Sequence, residues 1–537
     1  MYHIRVPIMK KTVRKLILLL VGALSLASCS SLDDFLKNLN SEVGTNQTAN
    51  NKEEIIDSEI NDVETPQTEE EIPEHPEETP EDNPQIVDPP EDNPEIIDTP
   101  EDDIDPENYQ EIPTISKRMP AEFEPVSMIK VTYPNMMPMS VYKTIAEDVP
   151  LLVLVDKTNG DNSQINNAKN AFTNAGVNLD NVTFIDAQLD DGNAWIRDFS
   201  PFYVFDNKDL SVVDFTYNRP QRSEQNSIPK MLSNYLNMSY SKMNLTHTGG
   251  NLMQDGRGTA FSDDLVVQEN SNNKENVLSQ MRQYTGTDNY VITIDPQGDY
   301  IAHIDCWAKI VAPDKIIVAR MPKSDYRYEY YEQVATELGS HKSAYGYNYR
   351  IYRVEEPGGE TVSPYTNSLI ANKTVYLPLG NNSTYNQKAI DVYKEALPGY
   401  TIKGISNTNG TFLNTDALHC RTHEIPDKNM LFIDSREVYT GDVHLQNKYV
   451  VKTNITSYAG GSLSDENVNI FYSINGSDYH KANMTQYKDT TNFTFIFSDL
   501  AVGDTVNYYI EAKDSLNNYS TDPICGSYDP HSFTIHA

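Results

Sequence analysis

Four short segments hold most of the side chains in this sequence that could make or break a covalent bond. They are "WIRDFSP" (Trp195 to Pro201), "HTGGNLMQDGRG" (His247 to Gly258), "AHIDCWAK" (Ala302 to Lys309) and "ALHCRTHE" (Ala417 to Glu424). The last sets Cys420 between His419 and His423, which leaves three uses for that cysteine: metal ligand, core filler or nucleophile. His303, Asp305, His419, Cys420 and His423 could be drawn around a metal, but there is no CxxC or HExxH spacing and the set mixes hard and soft donors. Thiol catalysis asks only for a cysteine and a histidine that meet in the fold. Carboxylates beside a thiol raise its pKa and hinder the thiolate, unless they hold a cationic substrate whose charge reverses the effect. A guanidinium is such a cation, with a planar fork of five donors matched to carboxylate oxygens.

These residues must be positioned by elements of a mixed α/β chain. Apolar runs predict strands from Leu151, Val182, Ser211, Tyr290, Lys315 and Lys373, and helical spacing predicts helices from Asn166, Arg327 and Asn386. Read as a strand, "AHIDC" would turn His303 and Asp305 to one face and Ile304 and Cys306 to the other, making Cys306 a small buried hydrophobe. "HTGGNLMQDGRG" reads as a tight turn and a hairpin, with Gly-Gly and Asp-Gly supplying positive φ and Asp255 as a turn residue. The α/β pattern occupies residues 117–437. Residues 438–537 show β alternation alone, as expected of an immunoglobulin-like β-sandwich that serves as an interaction or packing module.

The net charge of −36 argues against nucleic acid as a partner, because a polyanion repels such a chain. Much of that charge lies in residues 29–116, a proline-rich acidic stretch containing "PEDNPQIVDPPEDNPEIIDTPED", which predicts a solvated, extended tether. Residues 1–28 read as an export signal: Arg5, Lys10, Lys11, Arg14 and Lys15 precede an apolar run ending in Leu26-Ala27-Ser28-Cys29. That ending resembles a lipoprotein cleavage site, so Cys29 is the expected acylation site, and each buried methylene of its acyl chains would add about 0.8 kcal/mol of anchoring. An outer-membrane lipoprotein exposed at the cell surface and acting as a monomer is the expectation. Beyond Cys29 the cysteines are Cys306, Cys420 and Cys525, an odd set for an exported chain, so at least one needs a separate use.

The segments "MPAEFEP", "WIRDF", "GGN", "HIDCWAK", "PYTNS" and "ALHCRTHE" follow one another in the order seen in the guanidine-modifying superfamily. The chain resembles its bacterial peptidylarginine deiminases, relatives of the agmatine deiminases. The resemblance implies a pentein catalytic domain, a five-bladed α/β propeller around a central channel, followed by the immunoglobulin-like domain. It also implies roles. Cys420 would attack the guanidinium carbon and His303 would serve as acid and base. Asp198 and Asp305 would grip the guanidinium, and Asn367 would help set the geometry. Trp195, Tyr300 and Ile301 would line the channel. "YNRPQR" resembles the segment that presents two arginines to a substrate's C-terminal carboxylate, which points to Arg219 and, displaced by one residue from the usual pattern, Arg222. Arginine-containing peptides or proteins are the implied substrates, citrulline and ammonia the products, and no metal or cofactor is needed. Deimination of agmatine or free arginine, and an inactive surface adhesin, are the competing readings.

Overall fold

The computed structural model describes residues 110–537 apart from 136, 158–162, 190–193, 299, 360–362, 408–411 and 413–415. The export signal, Cys29 and the tether as far as residue 109 lie outside the described residues. Among the described residues no helix is long and apolar enough to cross a membrane.

Strands form where β-branched runs are buried on both faces, as in Leu151–Asp156, whose six residues are all buried. Between Lys117 and Pro426 the strands build five small sheets, each around the same unit: an antiparallel pair, a helical crossover and a parallel third strand. Ala308–Ala312 pairs antiparallel with Lys315–Arg320, and the helix Tyr328–Ser340 then carries the chain to the parallel strand Arg350–Glu355. Leu369–Ala371, Thr374–Leu379 and Thr401–Ser406 repeat this order around the helix Ser383–Ala396. Phe202–Asp206, Asp209–Tyr217 and Tyr240–His247 use the helix Ile228–Tyr235, and Met253–Gln254, Thr259–Asp263 and Asn289–Thr293 use Lys274–Thr285. Parallel neighbours require such crossovers, which explains the alternating pattern in the sequence. The fifth unit is split: His423–Pro426, late in the chain, pairs antiparallel with Val126–Tyr133, which runs parallel to Leu151–Asp156. That return brings "ALHCRTHE" back to the start of the α/β region.

The remaining strands form two facing sheets. One contains Leu431–Asp434, Lys448–Ser457, Asn492–Ser498 and Thr485–Gln486. The other is centred on Val468–Ile474 and Thr505–Lys513. Tyr449, Ile455, Ile470, Phe493 and Ile510 fill the space between them.

The sandwich is tied to the α/β region by buried charge. Arg118, fully buried, donates to Tyr458 Oη at 2.8 Å and to Glu124 at 2.7 Å, and lies 3.7 Å over the Phe432 ring. Asp522 of the sandwich accepts from Tyr345 Oη at 2.6 Å and sits 3.5 Å from Arg257. The segment ahead of the first sheet also lies on the sandwich: Ile112 N donates to Asn492 Oδ1 at 2.9 Å, and Asn454 Nδ2 donates to Ile112 O at 2.9 Å.

Candidate active site

Asp198 comes from the short helix Ile196–Phe199, whose buried side chains seat it in the core. His303 caps the 3₁₀ turn Ile304–Cys306 and follows Ala302, which has a φ of 48°. His303 Nδ1 is 3.7 Å from Asp198 Oδ1, and its Nε2 is 3.3 Å from Thr248 Oγ1. The approach depends on the second segment. A Cβ at Gly250 would lie 2.5 Å from His303 Nδ1 and 2.9 Å from Asp198 Oδ1, and one at Gly249 would lie 2.1 Å from the Arg197 carbonyl oxygen. These two glycines therefore permit the close approach, and the expectation that they supply positive φ is corrected. Positive φ occurs instead at Gly256 and Gly258 in the hairpin, where Asp255 Oδ1 accepts from Arg257 N and Thr259 N as the turn reading expects.

The strand reading of "AHIDC" is also corrected. A 3₁₀ turn has three residues per turn, so residues three apart share a side, and Cys306 does not face away. Its thiol lies 3.6 Å from Asp305 Oδ1 and hydrogen-bonds with Cys420, whose own thiol is 3.5 Å from Asp305 Oδ2. Cys420 is 3% exposed. Its pKa is raised well above the ordinary thiol value, first by the hydrogen bond with Cys306, then by burial and by the negative charges of Asp305 and Asp416. The protein's own groups thus favour the protonated thiol, and an added cation acts against that balance.

Asn367 fastens the cysteine loop. Its Nδ2 donates to Cys420 Sγ at 3.2 Å, while its Oδ1 accepts from Cys420 N at 3.2 Å and Ala417 N at 2.9 Å. The two carboxylates are tuned in opposite directions. Burial raises the Asp198 pKa, and its Oδ1 accepts no hydrogen bond among the described residues. Burial acts in the same sense on Asp305, but the hydrogen bond and charge of His419 outweigh it and hold the carboxyl below its usual range. A buried acceptor without a donor beside an ionised one is a site that a planar cation with several N–H groups would satisfy.

Around this floor stand the remaining predicted residues. Trp195 Nε1 donates to Asp416 Oδ2 at 2.6 Å, and the Arg222 guanidinium lies 4.9 Å over the Trp195 ring. Arg222 also reaches Tyr217 Oη at 3.4 Å, and Arg219, half-buried, exerts its charge on Asp198. Tyr300 is 85% exposed and Ile301 half-buried, both close in sequence to His303. His423 is buried and bonded to the Glu424 carbonyl, a structural position. Sequence reasoning missed Glu122, Asp416 and Glu269. Glu122 stood in the quoted "MPAEFEP" without a role; nothing local in sequence marked the other two.

Residues 118–426 match the sequence profile of the Porphyromonas-type peptidyl-arginine deiminases. A Legionella pneumophila protein described as "Putative agmatine deiminase" is 25% identical over 331 residues, covering 58% of this chain and 91% of that protein. The agmatine deiminase of Pseudomonas aeruginosa is 22% identical over 274 residues, covering 45% of this chain and 71% of its own. Among solved structures, the agmatine deiminase of Enterococcus faecalis superposes with a TM-score of 0.51 at 18% identity, covering 58% of this chain and 96% of that one, which shows a shared α/β fold. The profile spans more than half of the chain and includes all four of Asp198, His303, Asp305 and Cys420, so this protein belongs to the Porphyromonas-type peptidyl-arginine deiminase family.

Proposed function

We propose that this deiminase acts on arginine at the C-terminus of peptides or proteins, converting it to citrulline and ammonia. The observation that carries the substrate choice is a pair of arginines, Arg219, whose charge acts on Asp198, and Arg222, stacked on the Trp195 indole. Two cations at the entrance suit a substrate that brings a carboxylate. Agmatine brings an ammonium at that end, which they repel.

In this reading Asp198 and Asp305 clasp the guanidinium, and its charge lets Cys420 pass its proton to His303 and attack the central carbon. His303 protonates the departing amine as the carbon–nitrogen bond breaks, leaving a covalent thiouronium. His303 then deprotonates water, which attacks the same carbon and expels the Cys420 sulfur. Asn367 holds the thiol in line throughout. The five units enclose the site as the blades of a pentein ring, and the sandwich acts as an immunoglobulin-like accessory domain. Acylated Cys29 anchors the chain to the outer membrane with the enzyme at the cell surface.

One observation favours small substrates instead. Glu269 accepts from Asn218 Nδ2 at 3.0 Å and interacts electrostatically with Arg219 and His303, so a carboxylate near the entrance could receive an ammonium. A substrate panel separates the readings. A peptide with C-terminal arginine, the same peptide amidated, an internal-arginine peptide, free arginine and agmatine are each incubated with the full chain, and citrulline or ammonia is measured. Preference for the free C-terminal arginine is expected; turnover of agmatine alone refutes the substrate assignment, and turnover of none favours the adhesin. For the anchor, Cys29→Ser should move the protein from the membrane fraction to the soluble fraction, and unchanged retention would count against acylation.

A further inference from the structure

His419, next to the reactive cysteine in sequence, has both ring nitrogens committed. Nδ1 is 2.7 Å from Asp305 Oδ2 and Nε2 is 2.8 Å from Glu122 Oε2. Glu122 is itself held by Lys309 Nζ at 2.8 Å from both carboxylate oxygens, and by Ile370 N at 2.8 Å. Arg197 Nε donates to the His419 carbonyl at 3.2 Å, and the His419 N–H donates to Asn367 O at 3.1 Å. His419, Glu122, Lys309, Asp305 and Arg197 are all buried.

An ionised carboxylate is acceptor-only. Burial acts to raise the Glu122 pKa, but the charges of Lys309 and His419 prevail and hold it well below the carboxylate range; Asp305 is likewise held low. Each ring nitrogen of His419 thus faces a carboxylate oxygen, and an ionised carboxylate there can only accept.

We propose that His419 and Glu122 are positioning residues: His419 donates to both carboxylates at once and fixes Asp305 Oδ2 in the plane where it meets the guanidinium. The inference rests on the deiminase reading and adds to it a reason for placing a histidine beside the cysteine. His419 touches neither substrate nor the reacting atoms. It acts through Asp305, whose Oδ2 it holds 2.7 Å from its Nδ1. Lys309 and Glu122 extend the arrangement into the core, so the orientation of the cation clasp is set from behind.

The test uses the full chain and two reagents that alkylate Cys420, a haloacetamidine, which carries the planar cation, and neutral iodoacetamide. Wild type should react faster with the amidine. In His419→Asn, whose amide can replace the contact to Asp305 but not the one to Glu122, the amidine-to-iodoacetamide rate ratio should fall about tenfold to 100-fold, the range for a hydrogen bond to a charged group. Glu122→Gln, which keeps a similar shape, should lower the ratio in the same direction by less and serves if the first variant does not fold. In turnover, both variants should raise KM for the arginine substrate more than they lower thermal stability would account for, and they should also lower kcat. A ratio that stays at the wild-type value in both folded variants refutes the positioning role and leaves His419 structural, with deimination intact. A wild type that shows no amidine preference and forms no citrulline refutes the deiminase reading itself.

Discussion

At the floor of the site Asp198, His303, Asp305 and Cys420 are all buried, whereas toward the entrance Tyr300 is 85% exposed and Arg219, Arg222 and Ile301 are half-buried. Floor residues are held by segments far apart in sequence: Asp305 by His419, and Cys420 by Asn367. The hydrogen bonds of the two entrance arginines are local. Arg219 donates to the neighbouring Asn218 carbonyl, and Arg222 reaches Tyr217 five residues away. The difference separates what the chemistry demands from what the substrate demands. A guanidinium carbon must meet sulfur within a few tenths of an ångström, so the floor is over-determined. The rest of the substrate needs only complementary charge, which longer and more exposed side chains can provide.

The contrast can be broken most severely at the thiol. Cys420→Ala should abolish turnover of every guanidine substrate, a loss on the order of 10⁶-fold as for other nucleophile deletions, read as citrulline formed over hours. Gly250→Ala comes next. Its methyl group would lie 2.5 Å from His303 Nδ1, and displacing that ring should cost about 100-fold or more in kcat/KM, with circular dichroism unchanged. At the entrance, Arg219→Ala and Arg222→Ala should each raise KM for a C-terminal-arginine peptide by about tenfold to 100-fold and leave the amidated peptide unaffected. An equal loss on both peptides would erase the distinction between floor and entrance. Smallest of all, Tyr300→Ala should change KM by a few-fold at most, since an exposed ring loses little contact.

The pH profile sharpens the same comparison. Burial raises the Asp198 pKa, so in the free enzyme its grip should fail, as pH falls, at a higher pH than an ordinary aspartate would permit. A bound guanidinium restores the charge. The acid limb should therefore lie higher in kcat/KM than in kcat, and the shift should vanish in Asp198→Asn, where that group no longer titrates.

Much of the fold was legible because buried parallel strands such as Leu151–Asp156 leave continuous apolar runs and their crossovers leave helical ones. The floor was legible by residue type, since a thiol, a histidine and two carboxylates are chemically distinctive. What failed was local geometry and long-range pairing. Period-2 alternation cannot be told from a 3₁₀ turn over five residues, so Cys306 was assigned to the wrong face. The histidines of "ALHCRTHE" differ only by their partners, and those of His419, Glu122 and Asp305, stand 297 and 114 residues away in the chain. Gly249 and Gly250 looked like turn residues because glycine has two uses, conformational freedom and absent bulk, and only coordinates distinguish them.

The short run on the sandwich has a mechanical consequence. Ile112 is bonded to Asn492 and Asn454 before the chain reaches Arg118 and the first catalytic sheet. A pull applied ahead of residue 110 therefore enters the molecule through the sandwich. In a chain anchored at its start, the sandwich would meet such a load at Asn454 and Asn492, ahead of Arg118, like the clamp on a cable.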